Sequence, residues 1–315
     1  MKKVIFIGGP TASGKTKLAI EVAKELNGEI VSCDSMQIYK DMTIGTAKPT
    51  VEEMQGIPHY MLDVVSPEER YSVADYKKDA TKAIDAILEK GKVPIVVGGT
   101  GLYAEALIHG IEYNEIEVEE EYRKHLEEIA EKEGLEKLYE MAKQIDGEAC
   151  QKISQRDQKR ICRILEIYHA TGKTKTELEI ESRRKGPKFQ FILFGITMER
   201  EKLYERINQR VDKMMEEGLI EEVEALLKKY QTFPTAMQGL GYKEVVDYLE
   251  GNSTKEEMIE TIKRETRRYA KRQLTWFRRY KDMIWLDGLG DIQNNRNIIL
   301  EEYRGNKNKC EEKES

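Results

Sequence analysis

The sequence contains little cysteine and little histidine, with four residues of each in a chain of 315. No two cysteines stand in a CxxC pair, and the histidines are equally scattered. This spacing argues against a disulfide framework and against a zinc site, and it is typical of a protein kept in the reducing cytosol. The cysteines are Cys33, Cys150, Cys162 and Cys310.

Long apolar runs are also missing. No stretch approaches the roughly 18–20 consecutive apolar residues that a membrane-spanning helix needs. The apolar stretch near the N-terminus, Val4–Ile7, is too short for a signal peptide and runs directly into a structural motif. We therefore expect a cytoplasmic protein with no membrane partner, and we expect it to act as a monomer.

What is present is apolar material for a core and an uneven distribution of charge. Hydrophobic residues make up 39% and charged residues 35% of the chain, and its formal net charge is −6. Against that average, residues 263–281 carry nine Lys and Arg and one acid. Such a concentration of positive charge favours a polyanionic partner such as nucleic acid. Surface ion pairs with the many glutamates remain the alternative explanation.

The first hundred residues alternate apolar runs with amphipathic helical stretches. Continuous apolar runs predict buried parallel strands, and apolar residues at helical spacing predict the helices between them. Strands are predicted at Val4–Ile7, Ile30–Cys33, Val93–Val97 and Phe189–Ile196, and helices at Lys15–Leu26, Val73–Leu88, Glu199–Tyr230 and Lys255–Tyr280. This order of elements indicates an α/β fold with right-handed crossovers.

A Glu-rich segment with helical spacing interrupts this α/β pattern. Its apolar residues predict two helices before residue 146 and a third at Asp157–Thr171. We therefore predict a core of residues 1–112 and 188–287, with a helical insertion domain over 113–187. Residues 288–315 are charged and rich in Asn, which predicts a loosely held or disordered tail.

Residues 9–16, GPTASGKT, fit the pattern GxxxxGK[ST] between a predicted buried strand and a predicted helix. That context gives the pattern its meaning: backbone N–H groups, the helix N-terminus and Lys15 bind phosphate, and the Thr16 hydroxyl holds a divalent cation. We predict a P-loop NTPase-like parallel sheet core that binds a di- or triphosphate with Mg²⁺. The loop consists of Gly9, Pro10, Thr11, Ala12, Ser13, Gly14, Lys15 and Thr16.

The acid that a kinase or ATPase usually places after a second apolar strand is missing where the best strand ends. That strand leads into Thr100, while Asp63 and Asp287 follow short apolar runs and are weak candidates. Asp34 directly follows a predicted strand. Because ligands bind outside the carboxyl ends of parallel strands, the P-loop, Asp34 and Thr100 are expected to converge on one cleft. Simple turn or helix caps at Asp34 and Thr100 remain the alternative.

Together these segments resemble the tRNA dimethylallyltransferases (tRNA isopentenyltransferases) of the bacterial type. The resemblance covers nearly the whole chain to about Asp287, with its motifs in the family's order, and a zinc-finger spacing like that of many eukaryotic members is absent from the sequence. The motifs are GPTASGKT at 9–16, DSMQIYKDMTIGTAKP at 34–49, PHYMLD at 58–63, GGTGLY at 98–103, RDQKRICRILEIYHATG at 156–172, RINQRVDKMMEEGLIEEV at 206–223, GLGYKEVVDYLEG at 239–251 and YAKRQLTWFR at 269–278.

The resemblance implies transfer of a dimethylallyl group from dimethylallyl diphosphate to the exocyclic N6 amine of adenosine 37 in tRNA, next to the anticodon, with release of diphosphate. It implies that the P-loop holds the donor's diphosphate, with Lys15 and Mg²⁺ at Thr16 stabilising the leaving group. It further implies that Asp34 is the general base and that Thr100 lies near the reacting base.

The resemblance also implies which residues contact the pyrophosphate and the tRNA anticodon stem–loop. Either Arg206 or Arg210 closes over the pyrophosphate, and the sequence does not choose between them. Gln37 is suited to reading a base edge. The implied tRNA contacts are Asp34, Ser35, Met36, Gln37, Thr100, Arg123, Lys159, Arg160, Ile161, Cys162, Arg163, Gly239, Leu240, Gly241, Tyr242, Lys243, Arg268 and Arg272.

Three alternatives share parts of this pattern. A prenyltransferase acting on free adenine nucleotides would use the same P-loop and the same chemistry, although it would need neither the insertion nor the basic helix. A small-molecule P-loop kinase would consume ATP and phosphorylate its acceptor. A non-catalytic RNA-binding module would retain the basic residues and would not depend on Asp34.

Overall fold

The computed structural model describes residues 1–112, 119–184 and 186–311, with side chains described to residue 305. The chain divides into a core unit, Met1–Ile108 with Lys188–Ser315, and an insertion unit, His109–Pro187. The predicted start of the insertion at residue 113 lies outside the described residues, and the compact unit begins directly after the helix that ends at Ile108. Within the described residues, no helix is both long and apolar enough to span a membrane.

The core unit is built on a six-stranded sheet whose strands are all parallel, in the order β3-β2-β4-β1-β5-β6. The four predicted strands are confirmed, whereas the short edge strands β3 and β6 lack a sustained apolar run and were not predicted. The strands are β1 (Lys3–Gly8), β2 (Gly28–Cys33), β3 (His59–Tyr60), β4 (Val93–Gly98), β5 (Gln190–Thr197) and β6 (Ile284–Asp287).

Helices cover both faces of this sheet and form the insertion. The first part of the core unit contributes α1 (Lys15–Leu26), α2 (Val51–Met54), α3 (Val73–Glu89) and α4 (Gly101–Ile108). The insertion unit consists of α5 (Glu120–Glu133), α6 (Leu135–Ile145), α7 (Gly147–Gln151), α8 (Gln158–Thr171) and α9 (Lys175–Ser182). The core unit resumes with α10 (Arg200–Glu216), α11 (Leu219–Lys229), a 3-10 turn (Ala236–Gln238), α12 (Tyr242–Leu249), α13 (Lys255–Phe277) and α14 (Ile292–Glu311).

The central strand β1 shows why the sheet is covered on both sides. Successive side chains of a strand face opposite sides, and here Val4 and Phe6 join one apolar cluster while Ile5 and Ile7 join the other. Helices α3 and α4 supply the first cluster, and α1 and α14 supply the second. The uninterrupted apolar run of this strand is therefore needed on both faces.

Two sequence predictions on the C-terminal half are wrong. The single helix predicted at Glu199–Tyr230 is two helices, because Gly218 between them has a φ of +94°, which a continuous helix does not accommodate. The tail predicted to be loosely held over residues 288–315 forms α14 as far as Glu311, with Ile299 and Leu300 buried, and residues 312–315 lie outside the described residues. The apolar residues of α14 recur at the spacing of one helix face among polar neighbours, and Ile299 packs in the same cluster as residues of α1.

The insertion unit has a small core of its own. As predicted, α5, α6 and α8 are its main helices, and they bury Leu126, Leu138 and Leu165 against one another. The separate core explains why the segment forms a compact unit.

Candidate active site

The loop between β1 and α1 has the backbone of a phosphate cradle. Gly9 has a φ of +146°, and a Cβ at this position would lie 2.9 Å from the carbonyl oxygen of Ile196. Gly14 has a φ of +89° and directly precedes α1. The loop borders a cleft of about 320 Å³. The cleft is lined by Ala12, Ser13, Gly14, Lys15, Thr16, Lys17, Ile20, Ala47, Pro49, Glu53, Gln55 and Arg210.

Lys15 is a half-buried basic residue of this cleft. Its Nζ donates a hydrogen bond to the Pro10 carbonyl at 2.5 Å, inside the loop. Burial and the nearby Arg210 lower the pKa of Lys15 to about 7, although the charge of Asp34 acts in the opposite direction. An anion in the cleft would favour the charged form of the lysine, so the loop is arranged to receive negative charge.

The structure distinguishes the two arginines that the sequence left as alternatives. Arg210 lines the cleft and donates to the Thr11 hydroxyl at 3.1 Å. Burial lowers its pKa, while the charges of Glu53 and Asp34 oppose that effect. Arg206, one helical turn earlier, instead donates to the Gly288 carbonyl at 3.2 Å and is not among the lining residues. The guanidinium at the phosphate loop is therefore that of Arg210.

Oxygen donors of the cleft fit a diphosphate and a magnesium ion. The Ser13 hydroxyl is buried and has no hydrogen-bond partner within the described residues. Leaving a buried hydroxyl unpaired is unfavourable, and a phosphate oxygen in the cleft would supply its partner. Thr16 and Glu53 also line the cleft, and their side chains carry hard oxygen atoms of the type that Mg²⁺ prefers. One carboxylate oxygen of Glu53 already accepts the Thr50 N–H at 3.0 Å, which leaves the other for a ligand.

Asp34 follows β2 at the same sheet edge and is held by its own turn. Its Oδ1 accepts hydrogen bonds from the backbone N–H groups of Met36 at 2.9 Å and Gln37 at 3.4 Å. The turn-cap interpretation of Asp34 is thus correct for one carboxylate oxygen, and it also fixes the orientation of the group. Its charge opposes the lowering of the pKa of Lys15. Neither Asp34 nor Thr100 is among the residues that line the cleft, so their predicted convergence with the phosphate loop on one cleft stays a prediction.

Thr100 follows β4, the strand between β1 and β2. Its hydroxyl accepts the Ser35 N–H at 3.0 Å and lies 3.4 Å from the Ser35 hydroxyl, so it joins two strand ends. Its carbonyl accepts the Ala104 N–H at 3.0 Å, which fits the alternative that Thr100 also caps α4. The Tyr269 side chain of α13 also reaches this place. Burial and the charge of Asp34 raise the pKa of Tyr269, and its hydrogen bond with Thr100 acts the other way.

The side-chain amide of Gln37 is hydrogen-bonded within the protein. Its Nε2 donates to the carbonyls of Thr46 and Ala47 at 3.2 and 3.3 Å, and its Oε1 accepts the Ser32 hydroxyl at 3.0 Å. Both ends of the amide thus have partners within the protein, and its predicted reading of a base edge stays a prediction that would require these hydrogen bonds to be exchanged. Gln37 fixes the segment that carries Ala47, a residue of the cleft wall.

Gln273 is a site residue that the sequence interpretation missed. This buried side chain of α13 accepts the N–H of Thr11 at 2.8 Å and donates to the carbonyl of Gly99 at 3.0 Å. It thereby connects the phosphate loop after β1 with the turn after β4. In the sequence, Gln273 is a single amide among arginines, at a position where α13 faces the sheet. The positive charge of its neighbours indicated an RNA-binding surface, so the amide was not assigned to the site.

The segment 239–243 is mostly structural. Tyr242 is fully buried and donates to Glu222 at 2.6 Å. Gly239 packs so closely that a Cβ would lie 2.5 Å from the methyl carbon of Met36, and Leu240 packs against the apolar cluster that contains Tyr242. The predicted RNA contact of the Tyr242 side chain is therefore wrong, because the ring is in the core. The side chain of Lys243 is exposed.

The two weak candidates for a Walker-B acid do not line the cleft. Asp63 pairs with the buried Lys48 at 2.6 Å. Asp287 ends the edge strand β6, and its Oδ1 accepts the N–H of Leu289. Both carboxylates thus have local structural partners.

In the insertion unit, the predicted RNA contacts divide by helix face. Ile161 and Cys162 are 0% and 8% exposed in the core of the unit, so their predicted contacts with RNA are wrong for the side chains. Lys159 and Arg160 are exposed, and Arg163 is partly exposed. Arg123 of α5 is partly exposed and pairs with Glu166.

The basic helix α13 buries one face and exposes its arginines on another. Ile262, Ala270 and Phe277 are buried. Arg268 is exposed and pairs with Glu265, and exposed Arg272 stacks its guanidinium over the ring of Tyr269 at 5.6 Å. The exposed guanidinium groups therefore stand on the helix that also reaches the strand ends.

Comparison with known proteins gives a consistent result. The family described as "IPP transferase" matches residues 37–280. A tRNA dimethylallyltransferase of Acetivibrio thermocellus is 54% identical over 288 residues, which are 91% of this chain and 92% of the relative.

Solved structures agree with this relationship. The tRNA isopentenylpyrophosphate transferase of Bacillus halodurans is 43% identical with a TM-score of 0.74, covering 99% of this chain and 100% of that one. A eukaryotic dimethylallyltransferase described as acting on tRNA is 32% identical with a TM-score of 0.74, covering 91% of this chain and 74% of that one. With its phosphate loop, its parallel sheet and these relatives, the chain belongs to the IPP transferase family.

Proposed function

We propose that this protein transfers the dimethylallyl group of dimethylallyl diphosphate to the N6 amine of adenosine 37 in tRNA and releases diphosphate. The observation that carries the proposal is the convergence of three adjacent strand ends. The phosphate loop follows β1, Thr100 follows β4 and Asp34 follows β2, and these strands are neighbours in the sheet. An anion cleft and a carboxylate are thus adjacent, as a diphosphate leaving group and an amine nucleophile require.

The cleft supports departure of the diphosphate. When the allylic C–O bond breaks, the electron pair stays on the diphosphate oxygen, and this developing charge needs stabilisation. Lys15 and Arg210 supply two cationic groups, and the loop's backbone N–H groups and the Ser13 hydroxyl supply further donors. A Mg²⁺ ion bound at the Thr16 hydroxyl would add positive charge against the same leaving group.

The ends of β2 and β4, whose residues Asp34 and Thr100 are not among those that line the cleft, support attack by the amine. The nitrogen forms a bond to the allylic carbon and must lose a proton, which the Asp34 carboxylate accepts. The Met36 and Gln37 amides hold Oδ1, so the carboxylate keeps one orientation and its Oδ2 is the atom we assign to the proton. Thr100, fixed by Ser35, lies at the neighbouring strand end to orient the reacting groups.

Transfer to RNA requires the target base to leave its stack. Base extrusion from a loop costs a few kcal/mol, and contacts to the flanking backbone compensate for it. We assign those contacts to the exposed cations of each unit: Arg268, Arg272 and Lys243 in the core unit, and Arg123, Lys159, Arg160 and Arg163 in the insertion unit.

The test is mass spectrometry of an anticodon stem–loop RNA incubated with the protein, Mg²⁺ and dimethylallyl diphosphate. The expected product carries one dimethylallyl group in place of a hydrogen on the adenosine next to the anticodon. Free AMP and ATP labelled at the γ-phosphate are tested in parallel. Faster prenylation of AMP would favour a nucleotide prenyltransferase, and label entering an acceptor would favour a kinase. Either result contradicts the proposal.

A further inference from the structure

Two exposed arginines on different helices of the insertion unit share one buried acid. The Nε of Arg123 on α5 lies 2.8 Å from Glu166 Oε1, and the Nη1 of Arg163 on α8 lies 3.5 Å from Glu166 Oε2. The Glu166 side chain is 4% exposed, whereas those of Arg123 and Arg163 are 45% and 41% exposed. One carboxylate therefore holds two guanidinium groups at the surface.

Glu166, Arg123 and Arg163 form a triad that carries two positive charges and one negative charge, so one positive charge is in excess. Burying a carboxylate is unfavourable unless hydrogen bonds and cations compensate for it, so Glu166 holds its two arginines firmly. Arg123 uses its Nε–H for that bond, and a guanidinium has four further N–H donors on its two Nη atoms. The triad thus offers fixed donors and net positive charge to an anion from outside.

Neighbouring residues add to the rigidity and to the positive charge of these three side chains. Tyr122 and His169 stack with ring centroids 3.8 Å apart, so α5 and α8 are joined at a second point beside Arg123 and Glu166. Lys159 is exposed one helical turn before Arg163, on the same side of α8. Arginines held in place by a buried acid lose less side-chain freedom when they bind phosphate than freely moving side chains do, and they keep donors available for that contact.

We propose that Glu166 is a positioning residue that preorganises Arg123 and Arg163 for the phosphate backbone of the RNA substrate. The inference rests on the proposed function, since it assumes that the insertion unit contacts RNA. It assigns to a buried acid a role in binding a polyanion, which net charge alone would not suggest.

The sign of one mutational effect tests this role. If Glu166 only adds negative charge, Glu166→Gln makes the surface more positive and tightens RNA binding. If Glu166 positions the arginines, the same variant loosens them and weakens binding. We expect Glu166→Gln to raise the Kd for a fluorescent anticodon stem–loop about three- to tenfold and to reduce the salt slope by about one.

Asp157→Asn is the matched control. Like Glu166→Gln, this substitution removes one negative charge at α8. Asp157, however, is paired in the described part of the chain with a single exposed arginine, Arg160, and does not join two arginines of different helices. Asn also retains the capping ability of Asp at the start of α8. We expect this variant to bind RNA at least as tightly as the unmodified protein. Equal or tighter binding by Glu166→Gln would overturn the inference.

A double-mutant cycle separates positioning from a general effect on folding. In a protein that already carries Arg123→Gln and Arg163→Gln, adding Glu166→Gln is expected to cause no further loss of RNA affinity. A further loss of the same size as in the unmodified background would overturn the inference. If Glu166→Gln does not fold, Glu166→Asp takes its place, since the shorter side chain reaches the two arginines less well.

Two controls distinguish failure of this inference from failure of the proposed function. Binding of dimethylallyl diphosphate is measured for each variant and is expected to be unchanged, because the cleft residues lie in the core unit. If the unmodified protein does not prenylate the stem–loop, the proposed function fails. If it does and Glu166→Gln binds RNA as well as it does, only the role of Glu166 fails.

Discussion

The Oε1 atom of Gln273 lies 2.8 Å from the backbone nitrogen of Thr11, so helix α13 is hydrogen-bonded directly to the phosphate loop. The Nε2 atom of the same amide lies 3.0 Å from the carbonyl oxygen of Gly99. A Cβ at Gly99 would lie 2.0 Å from that Nε2, so the glycine is needed for the approach. The helix that carries Arg268 and Arg272 therefore also fixes the shape of the donor cleft.

Gln273→Leu is expected to weaken donor binding more than RNA binding. The change leaves the Thr11 N–H and the Gly99 carbonyl without their buried partner, at a cost of about 1–3 kcal/mol for each unsatisfied group. The loop should then lose its fixed geometry. We expect the KM for dimethylallyl diphosphate to rise about tenfold or more, equivalent to about 1.4 kcal/mol, while the Kd for the stem–loop changes little.

Thr275→Ala is the control for this experiment, because Thr275 is exposed on the same helix and its hydroxyl bonds, among the residues that the structure describes, to the backbone carbonyl of Lys271 alone. It should leave both substrates unaffected. A Gln273→Leu protein that folds and retains the normal KM for the donor would show that the loop does not depend on this amide.

Asp34→Asn is expected to reduce the rate of prenyl transfer by at least about 10²-fold, the usual effect of removing a general base. The amide oxygen can still accept the Met36 N–H, so the turn should persist. Single-turnover measurements with bound RNA report the chemical step directly. Asp63→Asn serves as the control, because Asp63 pairs with Lys48 outside the cleft. Full activity of the Asp34→Asn protein would refute the role of the carboxylate.

The central strands and the phosphate loop could be predicted because their signals are local. Val4–Ile7 is apolar without interruption, and the loop's glycines and Lys15 stand at fixed offsets behind it. Asp34 and Thr100 could be brought together because both directly follow strands of one parallel sheet. In each case the sequence neighbour of the residue determines its place.

The remaining features depend on partners that are distant in sequence. Gln37 is suited to base recognition by type, but its amide is used by the carbonyls of Thr46 and Ala47. Arg206 and Arg210 are one helical turn apart and share a face, so periodicity could not separate them. Ile161 is different, since its spacing from buried Leu165 on the same helix already indicated a core position.

Arg210→Gln should therefore impair catalysis far more than Arg206→Gln. Arg210 lines the cleft beside Lys15, whereas Arg206 bonds to the Gly288 carbonyl. Loss of one group that stabilises developing charge typically reduces turnover by about 10²–10³-fold. We expect that reduction in kcat for Arg210→Gln and less than about a threefold change for Arg206→Gln, of the size seen for surface substitutions. Steady-state kinetics at saturating RNA measure both, and equal defects would contradict the assignment.

Donor binding should take up a proton at alkaline pH, because of Lys15. Burial and the neighbouring Arg210 lower the pKa of this lysine to about 7 in the free protein. Below that pH the ammonium form is already present. Above it the group is neutral, and the diphosphate, by favouring the charged form, must draw a proton from solution. Affinity for the donor should consequently fall as pH rises above about 7, by at most about tenfold per pH unit.

Titration calorimetry in two buffers of different ionisation enthalpy counts this proton. Lys15→Arg is the comparison, since a guanidinium stays protonated throughout the range and has no proton to gain. Protonation of the donor's own phosphates contributes equally to both proteins, so the difference between them isolates the lysine. We expect that difference to approach one proton well above the pKa of about 7 and to vanish below it. An equal proton uptake by the two proteins across the range would mean that Lys15 remains charged in the empty cleft, because only a lysine that is neutral before binding can gain the proton.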